Sequence, residues 1–159
     1  MADAPAEKQG FRCKLVWTGA NSGKPFTYDT YSREHRIDID GKVSVSASSA
    51  PAFIGDPKLH NPEDFLMSAV TSCHFLTYIA LCAKSRIQVL AYEDNPEGFI
   101  EKVEGVFRFT RVTLRPKVTV APNADIERAK ALHERAHHHC IIANSINFPV
   151  TNEPVIVMG

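Results

Sequence analysis

Four cysteines occur in the chain, and two of them have neighbours that a packing role does not require. Cys73 sits in the apolar segment Asn61-Pro62-Glu63-Asp64-Phe65-Leu66-Met67-Ser68-Ala69-Val70-Thr71-Ser72-Cys73-His74. Cys140 closes a run of histidines, His137-His138-His139-Cys140. The two are much too far apart for a CxxC pair, so any partnership must come from folding. Glu63 and several arginines complete the set. An attacking thiolate, a resolving thiol, a cation that lowers a thiol pKa and a carboxylate that holds the cation are the parts of thiol redox chemistry.

These residues need elements to position them. Asn61 is a good N-cap, Pro62 suits the first helical position, and Glu63 and Asp64 suit the positive end of a helix dipole. The pattern predicts a long helix from Asn61 to about Arg86. Its second half is apolar nearly all round, which predicts a central, buried helix. Before it, Phe11–Thr18 reads as a strand, Asn21-Ser22-Gly23 as a turn, and Phe26–Ser46 as a hairpin turning at Asp40-Gly41. After it, Gln88–Tyr92 and Phe99–Val120 read as strands around a turn at Asn95-Pro96-Glu97-Gly98. Asn123 is expected to cap a second helix that ends in the histidines. A short turn or helix over Ile141–Ile146 and a last strand, Val150–Val157, follow. Strands before, between and after two helices give an α+β class with mainly antiparallel sheet.

Periodicity sorts the side chains further. In an unbroken strand Arg33 shares parity with Tyr31, Ile37 and Ile39, the apolar set, whereas Arg36 shares it with Asp38 and Asp40. Arg33 is therefore expected to point inward and Arg36 outward. An inward guanidinium requires a carboxylate or thiolate partner, and a purely structural ion pair would also satisfy it. Cys82 lies on the face of the long helix opposite Cys73, about 13 Å further along the axis, so the two cannot join in an intact helix. Cys82 and Cys13 are read as structural. So is His74, because adjacent helical side chains diverge.

His133-Glu134-Arg135-Ala136-His137 is a formal HExxH match, the zinc-hydrolase helix motif. It fixes only three positions, in a segment rich in histidine. His138, His139 and Cys140 are consecutive and point in different directions, so further ligands are scarce. A solvated helix end that complements the dipole is the favoured reading, and a zinc site at His133 and His137 the lesser one.

Bulk properties narrow the classes. The chain has 159 residues, with eighteen basic and eighteen acidic side chains and no block of like charge. Residues 11–159 are expected to form a single domain behind a disordered leader, residues 1–10. Balanced charge gives no electrostatic footprint for nucleic acid or a membrane surface. The longest apolar run, Phe75–Ala83, is interrupted by Thr77 and is read as too short to span a bilayer. Cysteines without a secretory signal point to a reducing, cytoplasmic compartment.

The stretches Tyr31-Ser32-Arg33-Glu34-His35, Asn61-Pro62-Glu63-Asp64-Phe65-Leu66, Ala69-Val70-Thr71-Ser72-Cys73-His74 and Cys140-Ile141-Ile142-Ala143-Asn144-Ser145 together resemble the OsmC/Ohr family, specifically its OsmC-like branch. The resemblance covers almost the whole chain. It implies an intertwined homodimer with sites at the subunit interface, and a thiol peroxidase that reduces organic hydroperoxides and often hydrogen peroxide. Carried over residue by residue, it implies Cys73 as peroxidatic thiol and Cys140 as resolving thiol. Glu63 would orient an arginine that activates Cys73, and Arg33 is the best match for it. Many members place proline directly after the second cysteine, where this chain has Ile141. No metal or organic cofactor is implied, and a small dithiol of dihydrolipoyl type would restore the thiols. Phe65, Met67 and Phe75 near Cys73 would favour an alkyl hydroperoxide. A non-enzymatic dimeric protein that binds thiols or ligands would keep the same fold and cysteines, and is the alternative.

Overall fold

The computed structural model describes residues 8–20 and 23–159. Most of the expected leader, and two residues of the turn at Asn21-Ser22-Gly23, lie outside the described residues. The chain falls into two compact units, one ending at Phe65 and one over Leu66–Gly159.

The N-terminal unit is built on one small antiparallel sheet in the order β1 (Lys14–Trp17), β2 (His35–Asp38), β3 (Val45–Ala47). Ile37 pairs with Val45 across the second hairpin, and Gly41, at φ 71°, supplies the left-handed turn residue expected at Asp40-Gly41. The strands are shorter than the sequence pattern suggested. Residues 26–34 are irregular and fold on local bonds, with Tyr31 N–H donating to the Thr27 carbonyl at 3.0 Å and the Trp17 indole N–H donating to the Ser32 carbonyl at 2.7 Å. Gly55 is required sterically, since a Cβ there would lie 1.6 Å from the Ser49 carbonyl oxygen. The unit closes on the cap of α1 (Pro62–Lys84). Asp64 N–H donates to Asn61 Oδ1 at 2.9 Å, and Asn61 N–H donates back to Asp64 Oδ2 at 3.2 Å. This reciprocal cap satisfies two free donors and fixes where the helix starts.

The C-terminal unit has two three-stranded sheets. One runs in the order β4 (Val89–Asp94), β7 (Pro116–Val120), β9 (Val155–Met158), the other β5 (Glu97–Val103), β6 (Val106–Leu114), β8 (Val150–Asn152). Each sheet has one antiparallel and one parallel pair. The expected strand over Phe99–Val120 is thus three. Glu104 and Gly105, both at positive φ, turn β5 into β6, and Pro116 starts a new strand. The expected last strand is two, broken at Glu153-Pro154 and delivered to different sheets. α2 spans Ile126–His139 and is capped by Asp125 rather than Asn123, with Arg128 N–H donating to Asp125 Oδ1 at 2.9 Å.

One stripe of α1, Val70, His74, Tyr78 and Cys82, is buried. Val70 packs with Val112, Leu114 and Val150, while Tyr78 and Cys82 pack with Val118, Val120 and with Ala129, Leu132 and Ala136 of α2. The helix therefore covers strands of both sheets. It is not buried all round as expected, for Leu76 keeps 62% of its surface exposed. By length and composition α1 is apolar enough to cross a membrane, which corrects the reading based on Thr77. Its stripe nevertheless packs on two sheets and a helix, as a core helix does. The α+β class with antiparallel-rich sheet stands.

Candidate functional site

α1 and α2 meet where both distinctive cysteines lie. Cys140 is the C-cap of α2, in extended conformation at φ −71° and ψ 111°, and is 1% exposed. Its thiol is pushed up to about 11, first by burial and then by hydrogen bonding to Cys73. Cys73 is half-buried, and both thiols are free. Two residues distant in sequence are thus neighbours in space. Proline after a cysteine would force the extended conformation on that cysteine. Here Cys140 adopts it with Ile141 in the following position, 74% exposed. Local bonds hold it there. Asn144 Nδ2 donates to the carbonyls of His138 and Cys140, both at 2.9 Å, and Ala143 N–H points to Cys140 Sγ at 3.5 Å. The Asn144 amide closes carbonyls that the end of α2 leaves free.

Beside the thiols lies a pair of histidines whose pairing sequence reasoning missed. His74 Nε2 and His133 Nδ1 are 3.0 Å apart and share a hydrogen. The rings are nearly parallel, and His133 also stacks on Tyr78 with centroids 3.8 Å apart. Both are essentially buried, at 1% and 0% exposure. Burial depresses His74 to about 4, with His137 adding repulsion, and depresses His133 to about 3. The spacing Val70, His74, Tyr78, Cys82 was the available signal, because it puts His74 on the core stripe. The HExxH residue His133 is thus core. His137, one turn on, is half-buried, and Glu134 is exposed. Among the described residues no three His, Cys, Asp or Glu side chains gather to hold a metal.

The other predicted residues lie in the N-terminal unit. Arg33 precedes β2, so strand parity does not reach it. It is half-buried and held locally, donating to the carbonyls of Tyr31 at 3.1 Å and Tyr28 at 2.8 Å, with its guanidinium 4.1 Å over the Tyr31 ring. It lines an open pocket of about 460 Å³ with Leu15, Trp17, Phe26 and His35. Arg36 is exposed and forks onto Asp38 at 2.8 and 3.1 Å. Among the described residues Arg33 has no carboxylate partner, and Glu63 Oε2 is buried without a hydrogen-bond donor. Cys13, read as structural within the first strand, lies just before β1 and is exposed, whereas Cys82 is buried as expected.

Met67 and Phe75 do not surround Cys73. They line a separate cavity of about 480 Å³ with Ser68, Thr71, Ser72 and Tyr92. At 100° per residue Phe75 points 200° away from Cys73, so the apolar environment inferred from sequence neighbours faces elsewhere.

Comparison with known proteins places this arrangement. Residues 55–154 match the family model described as OsmC-like protein. The uncharacterized protein YmaD of Bacillus subtilis is 26% identical over 109 residues, 67% of this chain and 73% of YmaD. The structure of an OsmC-like protein of unknown function from Vibrio cholerae is similar with a TM-score of 0.86 at 30% identity, covering 93% of this chain and all of that one. An organic hydroperoxide resistance protein from Elizabethkingia anophelis shares the fold, with a TM-score of 0.68 at 18% identity over 96% of this chain and 99% of its own.

Proposed function

The chain belongs to the OsmC-like family, and from that premise we propose that it is a cysteine-based hydroperoxide reductase. The observation that carries the proposal is the half-exposed Cys73 against the buried Cys140. The name of the fold neighbour from Elizabethkingia anophelis, an organic hydroperoxide resistance protein, supports the substrate class. In the proposed cycle the Cys73 thiolate attacks one peroxide oxygen and the O–O bond breaks. The other oxygen leaves as an alcohol after taking a proton, and Cys73 becomes a sulfenic acid. Cys140 then displaces the hydroxyl, which departs as water with the Cys140 proton, and a Cys73–Cys140 disulfide forms. A small dithiol of dihydrolipoyl type returns both thiols by exchange. The cycle uses no metal or organic cofactor, and its proposed setting is the cytoplasm.

We assign Arg33 to activate Cys73 and Glu63 to hold Arg33. Each lacks the partner that the other would supply, since Glu63 Oε2 is buried without a donor and Arg33 rests on neutral carbonyls. A planar fork beside a thiolate lowers its pKa and holds peroxide oxygens by charge-assisted bonds. Arg33→Lys keeps the charge but loses the fork, and should slow peroxide attack by about tenfold or more, the scale of one charged hydrogen bond. Arg36→Ala should be nearly silent, because Arg36 is committed to exposed Asp38. Stopped-flow oxidation of Cys73 by tert-butyl hydroperoxide measures both. The opposite ranking removes Arg33 from the site.

The proposal includes a homodimer. Phe11, Phe26 and Val43 of the N-terminal unit are 89%, 79% and 90% exposed, and Leu76 and Leu90 of the C-terminal unit 62% and 50%. Large apolar side chains in such numbers call for a covering surface. Sedimentation equilibrium should give twice the chain mass at micromolar concentration, and a monomer there excludes the dimer. A non-enzymatic thiol-binding role differs in one observable, since it predicts no hydroperoxide consumption with a dithiol donor.

A further inference from the structure

We propose that His74 and His133 are positioning residues whose hydrogen bond clamps α1 to α2 and so keeps Cys140 opposite Cys73. The proposal rests on the disulfide step of the reading above. Polarity is the first reason. Two imidazoles are buried in a contact otherwise filled by Val118, Val120, Ala129, Leu132 and Ala136, and their outer nitrogens, His74 Nδ1 and His133 Nε2, have no hydrogen-bond partner. Unpaired buried polar atoms destabilise a fold, so packing alone is better served by apolar rings of similar size. What the pair offers instead is direction. An apolar contact tolerates sliding and rotation of one helix on another, whereas the 3.0 Å Nε2···Nδ1 bond fixes both.

Location is the second reason. His74 follows Cys73 directly on α1. His133 lies two turns before Cys140 on nearly the same line of α2, about 10 Å along the axis. Tyr78, one turn beyond His74, stacks on His133 at 3.8 Å, so the His133 ring is gripped from two successive turns of α1. A rotation or one-turn slip of α2 that broke this grip would carry Cys140 away from Cys73. The clamp therefore raises the effective concentration of one thiol toward the other. In the redox step the Cys73–Cys140 S–S bond forms and oxidised glutathione is reduced to two glutathione thiols, which take the two cysteine protons.

The test equilibrates the full-length chain with glutathione buffers and measures the disulfide by mass spectrometry. His133→Phe keeps ring stacking on Tyr78 and removes the hydrogen bond. It should lower the effective concentration of the pair by about tenfold, the scale of one net hydrogen bond, at some cost in thermal stability because His74 Nε2 is left unpaired in the core. His133→Asn places an amide near the Nδ1 position and should stay within about threefold of wild type. In the double change His74→Phe/His133→Leu, which leaves no imidazole nitrogen unpaired, a loss of thermal stability that scales with the loss of effective concentration would reduce the histidines to structural residues and overturn the proposal. So would an effective concentration in His133→Phe equal to wild type. If that variant fails to fold, the double change His74→Phe/His133→Leu removes both polar groups at once, and the same tenfold loss decides. Because glutathione replaces peroxide, a wild type inert to tert-butyl hydroperoxide defeats the peroxidase reading alone, and an unchanged equilibrium defeats the clamp alone.

Discussion

Cys73→Ser is expected to abolish hydroperoxide reduction, a loss of about 10³-fold or more, as removal of a covalent nucleophile usually gives. The assignment of roles follows from environment. Cys140 is 1% exposed and its thiol is raised to about 11, so at neutral pH it is almost wholly protonated and shielded from a bulky peroxide. Cys73 is the more open of the two. A serine hydroxyl cannot take up the peroxide oxygen, so no sulfenic acid forms. Cys140→Ser should behave differently, consuming about one equivalent of hydroperoxide per chain to bring Cys73 to sulfenic acid and about one more as that over-oxidises to sulfinic acid. Cys82→Ala and Cys13→Ser should retain turnover, because Cys82 is sealed in the core and Cys13 is exposed away from any described partner. The measurement is peroxide consumption with a dithiol donor, with mass spectrometry of Cys73. Steady turnover in Cys73→Ser ends the assignment, and steady turnover in Cys140→Ser moves the resolving role elsewhere.

The parts legible in the sequence were those governed by local rules. The Asn61-Pro62-Glu63-Asp64 start of α1 is read directly from capping chemistry, and the reciprocal Asn61–Asp64 bonds are its physical content. The Asp40-Gly41 turn and the histidine-ended α2 are equally local. What failed depended on partners that spacing does not name. The parity argument for Arg33 does not reach it, because the strand begins only at His35 and the preceding segment satisfies its backbone through the turn at Thr27–Tyr31, which leaves Arg33 resting on the family resemblance. Phe75 and Met67 are near Cys73 in sequence and on another side of α1 in space. The partition of residues 150–158 between two sheets depends on a break at Pro154 and on which strands await the two halves. The histidine pair was least visible of all. Spacing reads His74 as structural, and His133 as part of a solvated helix end that only formally matches a metal motif. Only the packing of α1 on α2 turns them into one hydrogen-bonded unit.

That unit should also set the acid limit of the fold. Both rings titrate lower in the folded chain than the ordinary value of 6.5, His74 at about 4 and His133 at about 3, with burial the leading cause. The sign follows directly. Between those values and 6.5 the unfolded chain binds protons that the folded chain refuses, so stability is full above about pH 6.5 and falls as pH drops. At 1% and 0% exposure the rings gain little from solvent screening. At pH 5 each ring contributes a loss of about 2 kcal/mol, on the order of 4 kcal/mol for the pair. The surroundings offer no relief: His137 faces His74 from α2 and repels a proton on it, and the strand residues packed in this cluster, Val118 and Val120, are apolar. The variant His74→Gln/His133→Asn keeps amide groups near the bonded positions and removes both titrations. Urea unfolding at pH 7 and pH 5 should show the wild type losing on the order of 4 kcal/mol more than this double variant. Equal losses in the two proteins would mean that the buried histidines already exchange protons freely with solvent, and that some other group limits the fold in acid.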